Sequence, residues 1–273
     1  MPHPTDPLGP PSRGTVYFIG AGPGDPDLIT VRGRDLIARC PVCLFAGSLV
    51  PRALVAHAPD GALVRNSASM HLDQIIEIMA GAVAEGKDVA RVHSGDPSLY
   101  GATAEQMRRL DALGISYEVV PGVSSYQAAA ASLKLELTPA GRNQTVILTR
   151  APGKTGLPSN EDLAAFAAHR TGLCLFLSAA QVDSVVEALA PHYGMDAPIV
   201  VAHRVSWPDE QFHRCTLADL GRTIAEHDIT RTTLILIGPM LEPGEPAESH
   251  LYAESYSHLF RKARVDDGHP SID

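Results

Sequence analysis

The sequence has little of what disulfide-stapled, metal-bound or membrane-spanning proteins are made from. Its 273 residues include four cysteines, one tryptophan and 5% aromatics. Cys40, Cys43, Cys174 and Cys215 are too few to staple a chain of this length, and a reducing compartment keeps them as thiols. Cys40-Pro41-Val42-Cys43 has a redox-type spacing, yet 42–45 reads as a buried strand, which favours structural burial of both thiols. No second cysteine pair exists to complete a zinc site, and there is no His-Glu-x-x-His and no Gly-x-Ser-x-Gly. Neither a metal nor a covalent nucleophile is therefore expected. No apolar run approaches the roughly 20 residues that a spanning helix requires, and 1–14, with five prolines, lacks the hydrophobic segment of a secretory signal. Basic residues are scarce as well: 22 against 31 acidic ones, a formal net charge of −9, which disfavours a broad grip on nucleic acid or anionic lipid. A cytoplasmic protein with no nucleic-acid or membrane partner is expected.

What the chain does have is apolar content, 45% of its residues, enough to fill one or two sizeable cores. Residues 15–20 form a short apolar run that stops at glycines, the pattern of a buried parallel strand. A helix is expected over about 30–39 and a strand over 42–46, after which Leu72, Ile75, Ile76, Met79 and Val83 recur at helical spacing until Gly86. Strand 88–93, helix 102–113, strand 117–120 and helix 124–132 continue the alternation, which implies an open parallel sheet with right-handed crossovers. Periodicity is lost over 134–143, which contains Pro139 and Gly141, and a second series begins with strand 145–149, helix 161–169 and strand 173–177. In it, 199–203 and 211–215 flank Trp207-Pro208-Asp209-Glu210, a turn signal for two antiparallel strands, so the second sheet is expected to be mixed. The expected organisation is a disordered leader over 1–14, an N-terminal α/β domain over 15–135 and a C-terminal α/β domain over 143–240. An extension over 241–273 follows, partly disordered, with a peripheral helix at 251–264.

Gly20-Ala21-Gly22-Pro23-Gly24-Asp25-Pro26 follows the first strand, where residues without Cβ atoms permit a sharp turn and close approach to a ligand. It is not the dinucleotide fingerprint, which needs glycine where Asp25 stands. Ser94-Gly95-Asp96-Pro97-Ser98-Leu99-Tyr100-Gly101 sits at the carboxyl end of the 88–93 strand, the edge where open α/β sheets bind ligands. Asp96 suits acceptance of hydrogen bonds from a ligand hydroxyl or ammonium group, and equally suits a turn before Pro97. Pro121-Gly122-Val123-Ser124-Ser125 opens an Ala-rich helix and aims backbone N–H groups and two hydroxyls at the same region. Each segment alone has a plain turn-forming explanation; their succession at strand ends points to one ligand site. Gly153-Lys154-Thr155 has the ending of a phosphate-binding loop, but Leu148 replaces the required upstream glycine, which excludes a nucleoside triphosphatase of that kind.

With these turns in this order, the chain resembles the tetrapyrrole methyltransferase family over about residues 14–240. Phe45-Ala46-Gly47-Ser48-Leu49-Val50 and Ser206-Trp207-Pro208-Asp209-Glu210 look like the branch that acts at C11 of precorrin-4 in cobalamin biosynthesis. The resemblance implies a two-domain α/β fold, with a parallel N-terminal sheet, a mixed C-terminal sheet, helices on both, and S-adenosylmethionine in the interdomain cleft of a homodimer. It also implies cofactor contacts at Pro23, Ser94, Gly95, Asp96, Leu99, Ser124 and Ser125 and, by alignment of second-domain strands, at Leu177, Val205 and Thr233. Relatives that methylate uroporphyrinogen carry an acidic residue where this chain has Ala46 and a basic one near 67–71. Neither is matched, which argues against that substrate and leaves the catalytic residues unassigned.

A tetrapyrrole bearing many carboxylates calls for cations. Arg32, Arg52, Arg142, Arg150 and Arg204 are the candidates, each alternatively a solvated surface charge. His71 and His93 are of the type that moves protons near neutral pH, with a structural hydrogen bond as the plainer role. Other functions open on this sequence are a different corrin-ring methyltransferase such as the cobalt-precorrin-4 enzyme, and a non-catalytic tetrapyrrole-binding module. Methylation of a macromolecule is a further one, which the net charge disfavours for RNA.

Overall fold

The computed structural model describes residues 14–153, 156–242, 244, 256, 257 and 259–262. The leader expected over 1–14 lies outside them except for Gly14, as do Lys154, Thr155 and most of the 241–273 extension; of the helix expected at 251–264, the described residues 256, 257 and 259–262 are not helical. Contacts divide the chain into two units after Lys134, and Ala202–Phe212 groups with the first. The expected domains, 15–135 and 143–240, assigned that segment to the second.

In the first unit the elements run β1 (Val16–Gly20), α1 (Val31–Ile37), β2 (Val42–Phe45), α2 (Arg52–Val55), β3 (Leu63–Asn66), α3 (Leu72–Ala84), β4 (Val89–His93), α4 (Thr103–Ala112), β5 (Tyr117–Val120) and α5 (Ser125–Ser132). The strands form a sheet in the order β3-β2-β4-β1-β5, every pair parallel. Because side chains alternate across a strand, β1 feeds two cores. Tyr17 and Ile19 pack with Leu36, Ile37 and Leu54 of α1 and α2, while Val16 and Phe18 pack with Ile75, Met79 and Leu110 of α3 and α4. Thr30 caps α1 by accepting a hydrogen bond from the Gly33 N–H at 3.1 Å, which fixes where the helix leaves the β1 turn. Strand β3 went unread in the sequence for a physical reason: it is an edge strand with all four residues exposed, so no alternation marks it.

The second series of elements runs β6 (Val146–Arg150), α6 (Leu163–Ala167), β7 (Gly172–Phe176), α7 (Val182–Tyr193), β8 (Pro198–His203), β9 (Gln211–Thr216), α8 (Leu220–Glu226) and β10 (Thr233–Ile237), its strands forming a sheet ordered β6-β7-β10-β8-β9. β6 and β7 run parallel and β7 and β10 antiparallel, so the sheet is mixed. Its core joins Leu173, Leu175, Ile235 and Ile237 from the strands to Leu163, Val185, Leu189 and Leu220 from the helices. Asn143, at the end of the stretch where periodicity fails, pins the entry to β7. Its Oδ1 accepts from the Gly172 N–H at 2.9 Å and from the Thr171 hydroxyl at 2.8 Å, and its Nδ2 donates to the Leu137 carbonyl at 2.7 Å.

Cys40, Cys43 and Cys174 are free and buried. Burial raises their thiols to about 12, about 11 and about 12 respectively, so the Cys40–Cys43 spacing is a packing feature and not a redox pair.

Candidate functional site

The strand order explains why the three glycine-bearing turns meet. β1 lies between β4 and β5, and all three strands point the same way, so the turns that follow them leave from adjacent points on one carboxyl edge. They interlock through glycine. A Cβ on Gly20 would lie 2.5 Å from Gly122 Cα and 2.7 Å from the Gly95 carbonyl oxygen, and one on Gly122 would lie 2.7 Å from Gly20 Cα. No larger residue fits at either position without moving backbone. The Gly22 and Gly95 backbones also pair: Gly95 N–H donates to the Gly22 carbonyl at 2.7 Å and Gly22 N–H to the Gly95 carbonyl at 3.3 Å. Both glycines have positive φ, +78° and +63°, which side-chain-bearing residues adopt at a cost.

Asp96 stitches the second turn to the third. Its Oδ2 accepts from the Gly122 N–H at 2.9 Å, and its Oδ1 accepts from the Ser98 N–H at 2.8 Å and from the Ser98 hydroxyl. Burial works to raise its carboxyl pKa, but these hydrogen bonds from Ser98 and Gly122 outweigh it and hold the group below the ordinary carboxylate value. The 94–103 segment also contains two residues with side chains in the left-handed region, Tyr100 (φ 55°) and Ala102 (φ 48°), a cost of roughly 1–3 kcal/mol each. It is braced by the Thr103 hydroxyl, which donates to the Pro97 carbonyl at 2.9 Å. At α5, the Gln127 side chain accepts from the Ser124 N–H at 2.9 Å, closing the helix start. Pro23, Ser94, Gly95, Asp96, Leu99, Ser124 and Ser125 thus all belong to one interlocked set of turns, packed backbone to backbone at Gly20, Gly95 and Gly122.

The other three expected cofactor residues divide. Leu177 and Thr233 are brought together by the antiparallel β7–β10 pairing, each one residue beyond the Phe176–Leu234 pair. Leu177 is 67% exposed at φ 53°, an apolar side chain held out at a strand end. The cause is its neighbour: the Ser178 hydroxyl donates to the Phe176 carbonyl at 2.7 Å and accepts from the Ala151 N–H at 2.8 Å, so the chain must bend around it. Val205 has a buried side chain in the turn between β8 and β9, in the first unit.

The arginines do not form one group. Arg32 opens α1 and pairs with Glu118 of β5, and Arg52 opens α2, so both lie at the carboxyl edge of the first sheet. Arg204 pairs with Asp209 at 2.7 Å and stacks 4.7 Å from the Trp207 ring centre. In the second unit, Arg150 ends β6 and donates to the Gly156 carbonyl at 2.9 Å. Arg142 precedes β6 and donates to the Glu242 carbonyl at 2.7 Å. Arg142, four residues before β6, and Arg150, its last residue, thus hydrogen-bond to different segments of the second unit.

Sequence reasoning missed a buried polar cluster beneath the same edge. Arg91, 3% exposed, donates from Nε to the Gln106 Oε1 and from Nη1 to the Ser67 hydroxyl, both at 2.9 Å, and Ser67 donates on to the Phe45 carbonyl at 3.1 Å. Desolvation brings its guanidinium down to about 10. His93 shares that face of β4; burial, with Arg91 nearby, lowers its imidazole to about 3, and its Nε2 is buried without a hydrogen-bond partner. The expectation that His93 moves protons near neutral pH is thereby corrected. His71 is the N-cap of α3, its N–H donating to the Gln74 side chain at 3.2 Å.

His93 carries a pH signature. A lowered folded-state value means that the unfolded chain binds the extra proton between about pH 6.5 and about pH 3, so stability is full above that window and falls as pH falls through it. Replacing His93 with Gln should shrink the stability lost between pH 7 and pH 5 by up to about 2 kcal/mol, at about 1.4 kcal/mol per pH unit. Urea titrations at the two pH values measure it; an unchanged difference would show that His93 takes a proton in the folded state.

The tetrapyrrole (corrin/porphyrin) methylase family model matches residues 15–221. The precorrin-4 C(11)-methyltransferase of Pseudomonas aeruginosa is 52% identical over 247 residues, 90% of this chain and 98% of that protein. A solved cobalamin biosynthetic enzyme, cobalt precorrin-4 methyltransferase, is 44% identical with a TM-score of 0.83, covering 86% of this chain and all of the other. Uroporphyrin-III C-methyltransferase from Thermus thermophilus, complexed with S-adenosylhomocysteine, is 26% identical with a TM-score of 0.70 over 85% of this chain and 97% of its own.

Proposed function

The chain belongs to the tetrapyrrole (corrin/porphyrin) methylases, and from that premise we propose that it transfers the methyl group of S-adenosylmethionine to C11 of precorrin-4, giving precorrin-5 in cobalamin biosynthesis. The observation that carries the reading is the interlocked turns of Gly20, Gly95 and Gly122 with Asp96 stitched across them, in a chain 52% identical to a precorrin-4 C(11)-methyltransferase.

The cofactor brings an electrophilic methyl group, and the tetrapyrrole brings a nucleophilic ring carbon. The task left to the protein is orientation and exclusion of water, worth roughly 7–11 kcal/mol of barrier when the reacting atoms are well placed. The turns carrying Pro23, Ser94, Gly95, Asp96, Leu99, Ser124 and Ser125 hold the cofactor, and Asp96, kept ionised by its hydrogen bonds, favours a cationic ligand. Leu177, Val205 and Thr233 are proposed as further cofactor contacts on the family resemblance alone, Leu177 offering an exposed apolar side chain. Arg32, Arg52, Arg142, Arg150 and Arg204 are the candidate cations for the substrate's carboxylates, by bidentate hydrogen bonding. The buried, neutral His93 is set aside as a base. Among the described residues no helix is long and apolar enough to cross a membrane. A cytoplasmic homodimer is part of the proposal, on the family resemblance alone.

The 44% identical solved relative is named for cobalt precorrin-4, so the metal-containing ring is the second reading for the substrate. Calorimetric titration tests the cofactor half: S-adenosylmethionine and S-adenosylhomocysteine should each bind at one per subunit, and absence of binding would end the methyltransferase reading.

A further inference from the structure

The turn between β8 and β9 grips the first glycine turn at two consecutive points. The Trp207 Nε1–H donates to the Pro23 carbonyl at 3.0 Å, and the Ser206 hydroxyl accepts from the Asp25 N–H at 2.9 Å. Gly24 lies between those two groups with its backbone against the indole edge: a Cβ there would stand 2.6 Å from Nε1 and nearer still to Cδ1. The peptide groups on both sides of Gly24 are thus oriented by side chains more than 180 residues away in sequence. The grip is itself braced. Arg204 covers the indole and is held by Asp209, the Ser206 N–H donates to Glu210 at 2.7 Å, and Arg204 (φ 51°) and Ser206 (φ 62°) both sit in the left-handed region. Two residues in that strained conformation within three positions indicate a turn whose shape is imposed by what it holds.

We infer that Trp207 and Ser206 are positioning residues for the cofactor: they fix the Pro23–Asp25 backbone in the orientation that receives S-adenosylmethionine, without touching the reacting atoms. The inference rests on the methyltransferase reading and deepens it. It assigns a task to Trp207, the chain's single tryptophan, and it explains why glycine stands at position 24. Asp25, Leu28, Gln127, Ser206, Trp207 and Glu210 also line an open groove of about 510 Å³, so the gripping residues border open space.

The test compares Trp207→Phe, which keeps a ring and loses the N–H, and Ser206→Ala, which loses only the hydroxyl, with the unaltered enzyme. Loss of one such hydrogen bond should weaken S-adenosylhomocysteine binding about five- to tenfold in either variant. The KM for S-adenosylmethionine should rise in parallel, while kcat and the KM for the tetrapyrrole stay within about twofold. Gly24→Ala, which displaces the indole, should show the same pattern more strongly. Wild-type binding separates the two ideas: if the unaltered enzyme does not bind S-adenosylhomocysteine, the methyltransferase reading has failed. If it binds and both Trp207→Phe and Ser206→Ala bind within twofold of it, the positioning role is overturned, whatever happens to their melting temperatures.

Discussion

Gly122→Ala should destabilise the protein by about 3 kcal/mol or more and abolish S-adenosylhomocysteine binding. The reason is steric and not conformational, because the added methyl carbon would meet backbone on two sides: the Gly95 carbonyl and Gly20 Cα, the latter at 2.7 Å. Overpacking against atoms that cannot rotate away usually costs 1–3 kcal/mol, and here about the top of that range or beyond, since relief requires separating two turns. The matched control is Gly81→Ala. Gly81 lies inside α3 with nothing within 4 Å of where its Cβ would be, so the same change should stabilise by roughly 0.5–1 kcal/mol through helix propensity and leave binding intact. Urea denaturation and calorimetry on the two variants read both effects. Equal tolerance at the two positions would mean that the turns are not interlocked as described.

Asp96→Ala should weaken cofactor binding by one to two orders of magnitude, roughly 1.4–2.8 kcal/mol, and also cost about 1.5–3 kcal/mol of stability. The two losses have one origin: hydrogen bonds to a charged acceptor are worth more than neutral ones, and the alanine variant leaves the Gly122 and Ser98 N–H groups without their carboxylate. Asp96→Asn should fall between, because an amide has one carbonyl oxygen and cannot accept on both sides at once. The lowered carboxyl value of Asp96 adds a pH signature. Its contribution to stability is present above the unfolded-state carboxylate value and is lost as pH falls through its lower folded value, so the wild type and the Asn variant should converge in acid. Wild-type affinity in the alanine variant would remove Asp96 from the site.

Much of this architecture could be read from the chain because it is written locally. The apolar strands β1, β2, β4 and β5 and the amphipathic α3 announce themselves by period, and the turns by glycine and proline at strand ends. The exposed edge strand β3 and the short α2 have no such period and stayed invisible. The candidate site was legible only in its outline. That Gly20 and Gly122 need to be glycine depends on β1 lying between β4 and β5, which is a matter of strand order, not of either turn alone. The Trp207–Pro23 hydrogen bond and the Arg91–Ser67–Gln106 cluster join residues far apart in sequence, and nothing local marks an arginine in an apolar strand as buried or a tryptophan in a turn as a brace. Arg142 and Arg150 show the converse: near in sequence, one before β6 and one at its end, they hydrogen-bond to different segments, the Glu242 and Gly156 carbonyls.

The central claim is the reaction itself, and the most direct test is to incubate the purified protein with S-adenosylmethionine carrying a labelled methyl group and with precorrin-4, metal-free or cobalt-containing, and to locate the label in the product. The account predicts one methyl group gained per tetrapyrrole, attached at C11, with S-adenosylhomocysteine formed in equal amount; cofactor binding with no methylation of either form, or label at another carbon, would contradict it.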